Sequence, residues 1–333
     1  MLQLKLAIAE FQAPAPARSI WQIGSTLLAF VAICALMYAT LSTSYALTLG
    51  LAFVAAGLVV RIFIIQHDCG HGSLFESRRA NSVVGRLCSL ITLTPYENWR
   101  RQHAGHHAVW NNLDRRLSGS DIYSTCLTVT EYLGLTRRDR LVYRMSRHPL
   151  ISAVALPPLV FLLLYRVPFD TPKAWRRERN SVHATNFGLA AVYAGIGFLV
   201  GFERMLLVQL PILVAASIVG VWIFSVQHQF ETALWRRKAQ WRFEEAALCG
   251  ASYLRLPRVL QWFTGNIGFH HIHHLNPRVP NYRLEECYRA IPALRKAHTL
   301  SIWDGIKSLS FRLWDEHRER MVTFKAAEHF RSQ

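Results

Sequence analysis

The chain has 333 residues, of which 51% are hydrophobic and only 18% charged, with a mean hydropathy of +0.15; this is too apolar for an ordinary soluble protein. Lys and Arg outnumber Asp and Glu by 38 to 21, a net charge of +17, but no nucleic-acid motif accompanies the surplus. It reads instead as basic loops facing anionic lipid headgroups, which excludes a nucleic-acid-binding role.

In chain order, residues 1–22 form an Ala/Pro-rich arm with Lys5 and Arg18 and without a cleavage site after an apolar core. Four segments then have the length and purity of membrane helices, at about 1.5 Å per residue across a core of roughly 30 Å. They cover residues 23–41, 47–65, 187–201 and 205–226. The first pair is joined by Ser42-Thr43-Ser44-Tyr45 and the second by Phe202-Glu203-Arg204, so each pair is expected to be a helical hairpin. Arg100-Arg101, Arg115-Arg116, Arg137-Arg138, Arg176-Arg177 and Arg236-Arg237-Lys238 all lie outside those short connectors. That asymmetry places both termini and the connecting regions in the cytoplasm of an inner membrane.

Two further apolar stretches, 83–93 and 150–165, are expected as interfacial or re-entrant helices. The first is too short to span, and the second carries Pro157-Pro158. Near the C-terminus, Ile302, Ile306, Leu309 and Leu313 recur at helical spacing, predicting one helix on the cytoplasmic cap or the bilayer surface. The fold class is therefore all-α and membrane-embedded: four spans in two hairpins, interfacial helices and a histidine-rich cytosolic cap. Residues 23–315 make the main domain and 316–333 a polar tail. The six cysteines have no CxxC or secreted pattern and are expected to be reduced.

Nine of the fifteen histidines fall into three clusters. They are His67-Asp68-Cys69-Gly70-His71, then His103-Ala104-Gly105-His106-His107, then His270-His271-Ile272-His273-His274. His67 and His71 are spaced i,i+4. His103, His106, His107 and His270, His273, His274 are each spaced i, i+3, i+4, which gathers imidazoles on one helix face. His271 points about 100° away from His270 and is set aside. Eight imidazoles exceed one ion's usual need, and His228, at the end of the last span, is the natural ninth. All-imidazole ligation suits Fe, Zn, Cu or Ni, while the HExxH of a zinc hydrolase is absent. Two redox ions beside lipid point to oxygen chemistry on an acyl chain. A metal transporter is the rival from another class, but its site belongs near the bilayer midplane on broken helices, not at the ends of spans.

The order HDCGH, Pro95-Tyr96-Glu97-Asn98-Trp99-Arg100-Arg101-Gln102-HAGHH, and Asn266-Ile267-Gly268-Phe269-HHIHH resembles the membrane fatty acid desaturases, more narrowly the bacterial acyl-lipid desaturases of the Δ5/Δ12 type. Asn112-Leu113-Asp114, Gly119-Ser120-Asp121, Gln261-Trp262-Phe263 and Pro280-Asn281-Tyr282 agree with that likeness; Gly105 departs from it, standing where bulkier residues are common. The resemblance implies a di-iron centre ligated by His67, His71, His103, His106, His107, His228, His270, His273 and His274. Asp68, Asp114, Asp121 and Asn266 would support those ligands. It further implies O₂-dependent formation of a cis double bond in a fatty acyl, acyl-lipid, substrate. Phe63, Trp222, Phe224 and Trp262 are candidates to line an acyl tunnel. Two electrons must come from outside, since the chain lacks a dinucleotide, flavin or haem signature; the resemblance implies ferredoxin, drawn to the basic face. A hydroxylase, ketolase or alkane monooxygenase could use the same histidine pattern.

Overall fold

A computed structural model describes residues 2–117 and 125–329. Its frame is four long apolar helices. A short N-terminal helix, α1 (Leu2–Ala9), precedes α2 (Pro16–Thr40), which meets α3 (Tyr45–His71) in the first hairpin. The second hairpin is α9 (Arg176–Val200) with α10 (Phe202–His228). These four are long and apolar enough to cross a membrane. The expected 187–201 and 205–226 segments are the apolar cores of longer helices. Phe202-Glu203-Arg204 is not the connector: α10 already begins at Phe202, leaving Gly201 alone at φ +93° to reverse the chain. Only glycine holds that backbone without Cβ strain.

α3 is the central helix. Within its apolar stretch 61% is buried, against 22–33% in the other three, because α2, α10 and the helix at Arg78–Thr92 all pack on it. Met37, Ala52, Ala56, Val208 and Ile212 form the core between them. Local chemistry sets its ends. Ser44 Oγ accepts from Leu47 N at 3.3 Å, and Gly72, at φ +70°, closes the other end against Cys69 O. That stop comes one residue after His71.

Between the hairpins, α4 (Arg78–Thr92) and α5 (Tyr96–Val109) occupy the histidine end of the bundle. α4 holds residues 83–92 of the expected 83–93 stretch, Leu93 standing just past its end, and leaves Val83 and Leu87 exposed. Gly85 is required where it stands, since a Cβ there would lie 2.2 Å from the Tyr96 ring. Tyr96 in turn donates to Cys69 O at 2.8 Å, joining α5 to α3. β1 (Leu127–Thr128) leads into α6 (Val129–Gly134) and α7 (Arg137–Ser146). The 150–165 stretch then folds as a π-helical turn at Leu150–Ala155 and α8 (Leu156–Leu162), inclined 47° to α7. It packs against α10.

The remainder is a cap on the histidine end: α11 (Phe243–Cys249), β2 (Tyr253–Leu254), α12 (Arg258–Phe263), α13 (His270–Leu275), α14 (Leu284–Ala290), β3 (Thr299–Leu300), α15 (Ile302–Ser308), β4 (Leu313–Asp315), β5 (Arg320–Val322) and α16 (Phe324–His329). β2 pairs in parallel with β3, and β4 joins β1 in parallel and β5 antiparallel. The stretch from Ile302 to Leu313 is not the single helix expected from its spacing. The helix stops at Ser308, and Leu313 and Trp314 are buried strand residues whose partners come from β1 and β5. Apolar spacing of 3–4 residues was coincidence across a turn. The 315/316 boundary falls inside that hairpin, where Asp315 pairs with Arg320. At the other end of the chain, Ile8 of α1 is buried with Phe269, Ile272 and Leu275, so the N-terminal arm covers the third histidine segment.

Candidate metal centre

Four helices bring nine imidazoles together. His67 and His71 end α3, His103, His106 and His107 line one face of α5, His228 ends α10, and His270, His273 and His274 lie on α13. All are buried except His71, which is partly so. They sort into two groups. His67, His71, His103, His107 and His273 have ligand atoms within 4.8 Å of one another, as do His106, His228 and His274. His270 adjoins the second group, its Nε2 lying 2.9 Å from His228 Nε2.

The nitrogen spacings carry chemical information. Nε2 atoms lie 3.1 Å apart in His67–His273, 2.9 Å in His273–His107 and 3.1 Å in His107–His103. In the second group His106–His228 is also 3.1 Å. Ligands at about 2.1 Å from one ion, set at right angles, are about 3.0 Å apart. A neutral imidazole has one N–H, so the inward-facing nitrogens cannot all satisfy one another. His71 Nε2 and His274 Nε2 are buried with no hydrogen-bond partner, a cost of about 1–3 kcal/mol each if nothing binds there. The donor set fits a pair of cations, each held by four or five imidazoles.

Electrostatics favour the same state. Burial foremost, then the neighbouring imidazoles, hold His103, His107, His270, His273 and His274 well below the usual histidine range. They are neutral near pH 7, with lone pairs available to a metal.

Around these rings the sequence expectations divide. Asp68 Oδ1 faces His67 Nδ1 at 3.3 Å, while its Oδ2 accepts from Asn281 N at 2.7 Å and Asn281 Nδ2 at 2.9 Å. Asn281 is held in turn by Gln22 of α2, at 2.9 and 3.2 Å. Asn266, at φ +59°, donates to Asn281 O at 3.1 Å and thus shapes the turn before α13 without touching an imidazole. Asp114 is not at the site. It is a surface residue bonded to Arg237 at 2.9 Å and to the Lys238 backbone at 2.8 Å, because the chain turns outward once α5 ends at Val109. Asp121 lies outside the described residues. His271 is buried beside Tyr253 and Tyr288, apart from both groups.

Several residues at the site escaped the sequence reading. Trp99 stacks on His103 with centroids 4.7 Å apart, and Trp110 lies 4.0 Å from His228 and 4.9 Å from His106. Each is four residues from its α5 histidine, a spacing visible in the sequence. A Cβ on Gly70 would meet the Trp99 ring at 2.9 Å, so this glycine lets the indole reach the first cluster. Glu97 anchors the start of α5: its carboxylate takes Arg86 at 2.6 Å from α4 and Arg177 at 3.0 Å from α9. Asn281 gave no local signal, as its role depends on contacts 213 and 259 residues away in sequence.

A cavity of about 290 Å³ adjoins the histidines. His67, His103, His106 and His270 form its polar end, and Val59, Leu213, Ala216 and Val160 its apolar walls. Along α10 it runs from Gln227 back to Leu213, about 21 Å at 1.5 Å per residue, or more than half a bilayer's roughly 30 Å core. Phe63 and Phe224 line it as expected. Trp222 and Trp262 do not: Trp222 packs toward Gly305, and Trp262 lies under the Arg61 guanidinium at 4.1 Å. Exposed Phe169 and Asp170 stand at its edge, where Gln102 donates to Asp170 at 2.8 Å.

Comparison with known proteins agrees with this architecture. The family model described as fatty acid desaturase matches residues 42–305. The chain is 42% identical over 327 residues to a fatty acid desaturase of Bacillus subtilis, covering 98% of this chain and 92% of that one. It is 28% identical to the sn-1 acyl-lipid omega-3 desaturase (ferredoxin) of Synechocystis sp., over 73% of this chain and 68% of the other. Against a chloroplastic omega-3 fatty acid desaturase of Glycine max the identity is 29%, over 69% of this chain and 51% of the relative.

Proposed function

This chain belongs to the fatty acid desaturase family and is an oxidoreductase of that class, and we propose that it places a cis double bond in the acyl chain of a membrane lipid by means of a histidine-ligated di-iron centre. The observation that carries the reading is the union of two groups of imidazoles with an apolar cavity ending on them. His67, His71, His103, His107 and His273 would hold one iron, and His106, His228, His270 and His274 the other. When bound, the iron pair supplies O₂ activation and the two-electron oxidation of adjacent CH₂ groups.

The chain's own task is positional. The walls from α3, α8 and α10 hold one C–C bond of a uniform chain beside the histidine end and exclude water. Trp99 and Trp110 fix the planes of His103 and His228. Asp68, pinned by Asn281, orients His67 so that Nε2 faces inward. Reducing equivalents would come from a ferredoxin-type carrier, the donor that the name of the Synechocystis relative carries, with the +17 charge favouring an acidic partner. The histidine end and both termini would face the cytoplasm of the inner membrane.

Lipid profiling of cells expressing the protein or its His106→Ala variant tests the reading. New monounsaturated acyl chains with the parent and none with the variant are expected. Accumulation of an alcohol or ketone would replace desaturation with oxygen insertion, and an unchanged profile in the variant would overturn the ligand assignment.

A further inference from the structure

The helix α7 presents a surface that the desaturation reading does not use. Thr136 caps it, its Oγ accepting from Asp139 N at 3.1 Å, and no residue of the helix is fully buried. Leu141, Val142 and Met145 are 59%, 59% and 54% exposed and share an arc of about 100°. Tyr143 lies on the opposite face and ties the helix to the cap, donating to Arg312 O and accepting from Leu127 N, both at 3.1 Å. Arg138 falls within that arc and Arg137 at its edge, while Arg140 and Arg144 lie toward the Tyr143 side, where Arg144 pairs with Glu328 at 2.9 Å; Asp139 is the one acid within the helix.

Three exposed apolar side chains on a helix this basic cannot face open water without cost. Continuity identifies what covers them. The chain runs directly from α7 into the bent apolar element, where Leu150, Leu159 and Leu163 are 66%, 44% and 61% exposed, while Val160 and Phe161 of the same element wall the cavity. The apolar belt of the membrane frame therefore extends onto α7, and the exposed guanidiniums of Arg137 and Arg138 match negative charge at that depth.

We propose that α7 lies in the headgroup region of the membrane on the histidine side and binds anionic lipid. Leu141, Val142 and Met145 enter the acyl boundary, and Arg137 and Arg138 meet lipid phosphates. The proposal also gives the lipid contact a route inward. Arg312, whose carbonyl takes the Tyr143 hydroxyl, is buried and donates to Ser152 Oγ of the bent element at 3.1 Å and to Gln229 Oε1, beside His228, at 3.0 Å. The inference rests on the membrane frame alone and stands or falls apart from the desaturase reaction.

Amide hydrogen exchange of residues 137–146 decides it, using the full chain in nanodiscs of phosphatidylcholine alone or with about one third phosphatidylglycerol. Exchange about fivefold or more slower in the anionic discs is expected, with the difference lost in high salt. The exposed pair Arg137→Gln with Arg138→Gln should abolish the difference, leaving exchange in the neutral discs unchanged. Equal exchange of the parent in both disc types would overturn anionic-lipid binding. Protection that grows with protein concentration and ignores lipid charge would do the same, by assigning the face to a second copy of the chain.

Discussion

Asn281 donates two hydrogen bonds to one oxygen of Asp68, from its backbone N at 2.7 Å and its Nδ2 at 2.9 Å, and leaves the other oxygen to face His67. A residue beyond the third histidine cluster thereby sets the orientation of a ligand in the first. Both residues are at least 98% buried, so the pair has no solvent to replace a lost partner.

Replacing Asn281 by Leu should therefore disturb the five-histidine group before the other. Hydrogen bonds to a charged group contribute about 1.5–3 kcal/mol each, and loss of such support typically costs about 10–100-fold in metal affinity. The expected result is a fall in iron per chain toward half, measured by atomic absorption after dialysis, with the helical circular dichroism retained. Full iron content would show that Asp68 needs no help from Asn281.

His228 offers the complementary experiment. It contacts both His106 and His270 through Nε2, and His228→Ala removes the shared member of the second group. Iron should again drop toward half, but His67, His71, His103, His107 and His273 should keep the remaining ion. Activity should fall by at least about 100-fold, since the proposed reaction needs both ions. Retention of full activity would remove His228 from the ligand set.

Acid should release metal and weaken the fold together. Burial, with the neighbouring imidazoles, lowers the folded-state values of His103, His107, His270, His273 and His274. The unfolded chain, with histidines near 6.5, binds more protons as the pH drops below that value. Stability of the metal-free protein is thus full above about pH 6.5 and declines as the pH falls toward the lowered folded values. Thermal midpoints in detergent between pH 8 and pH 5 check the sign; a midpoint that rises on acidification would contradict neutral, buried imidazoles.

The cavity can be shortened without touching a ligand. Gly220 lines it on α10, and a Cβ there meets nothing within 4 Å. It lies eight residues before His228, about 12 Å along the helix. Gly220→Leu should exclude long acyl chains while keeping iron content and helix stability. Turnover on a ladder of chain lengths should fall about tenfold or more for the longest and little for the shortest. Uniform loss across the ladder would mean that the acyl chain does not reach this wall.

Much of this protein was legible in order of sequence because the strongest signals are local. A run of about 20 apolar residues and three imidazoles at i, i+3, i+4 both follow from one helix's geometry, and the four spans and the histidine faces on α5 and α13 came from them. Where the backbone reverses or changes type, locality failed. Gly201 alone makes the turn assigned to Phe202-Glu203-Arg204, and Leu313 sits in a strand because β1 and β5 supply its partners.

Tertiary structure alone decided how the nine imidazoles divide. His106 and His107 are adjacent in sequence yet enter different groups, since successive helix positions diverge by about 100°: His107 meets His67 and His71 of α3, and His106 meets His228 of α10. It also moved Asp114 to the surface, where Arg237 takes it, and brought Asn281 and Gln22 in behind Asp68. Sequence determined which side chains could bind metal; packing of the helices determined which of them meet, because only burial among distant partners fixes a ring's direction.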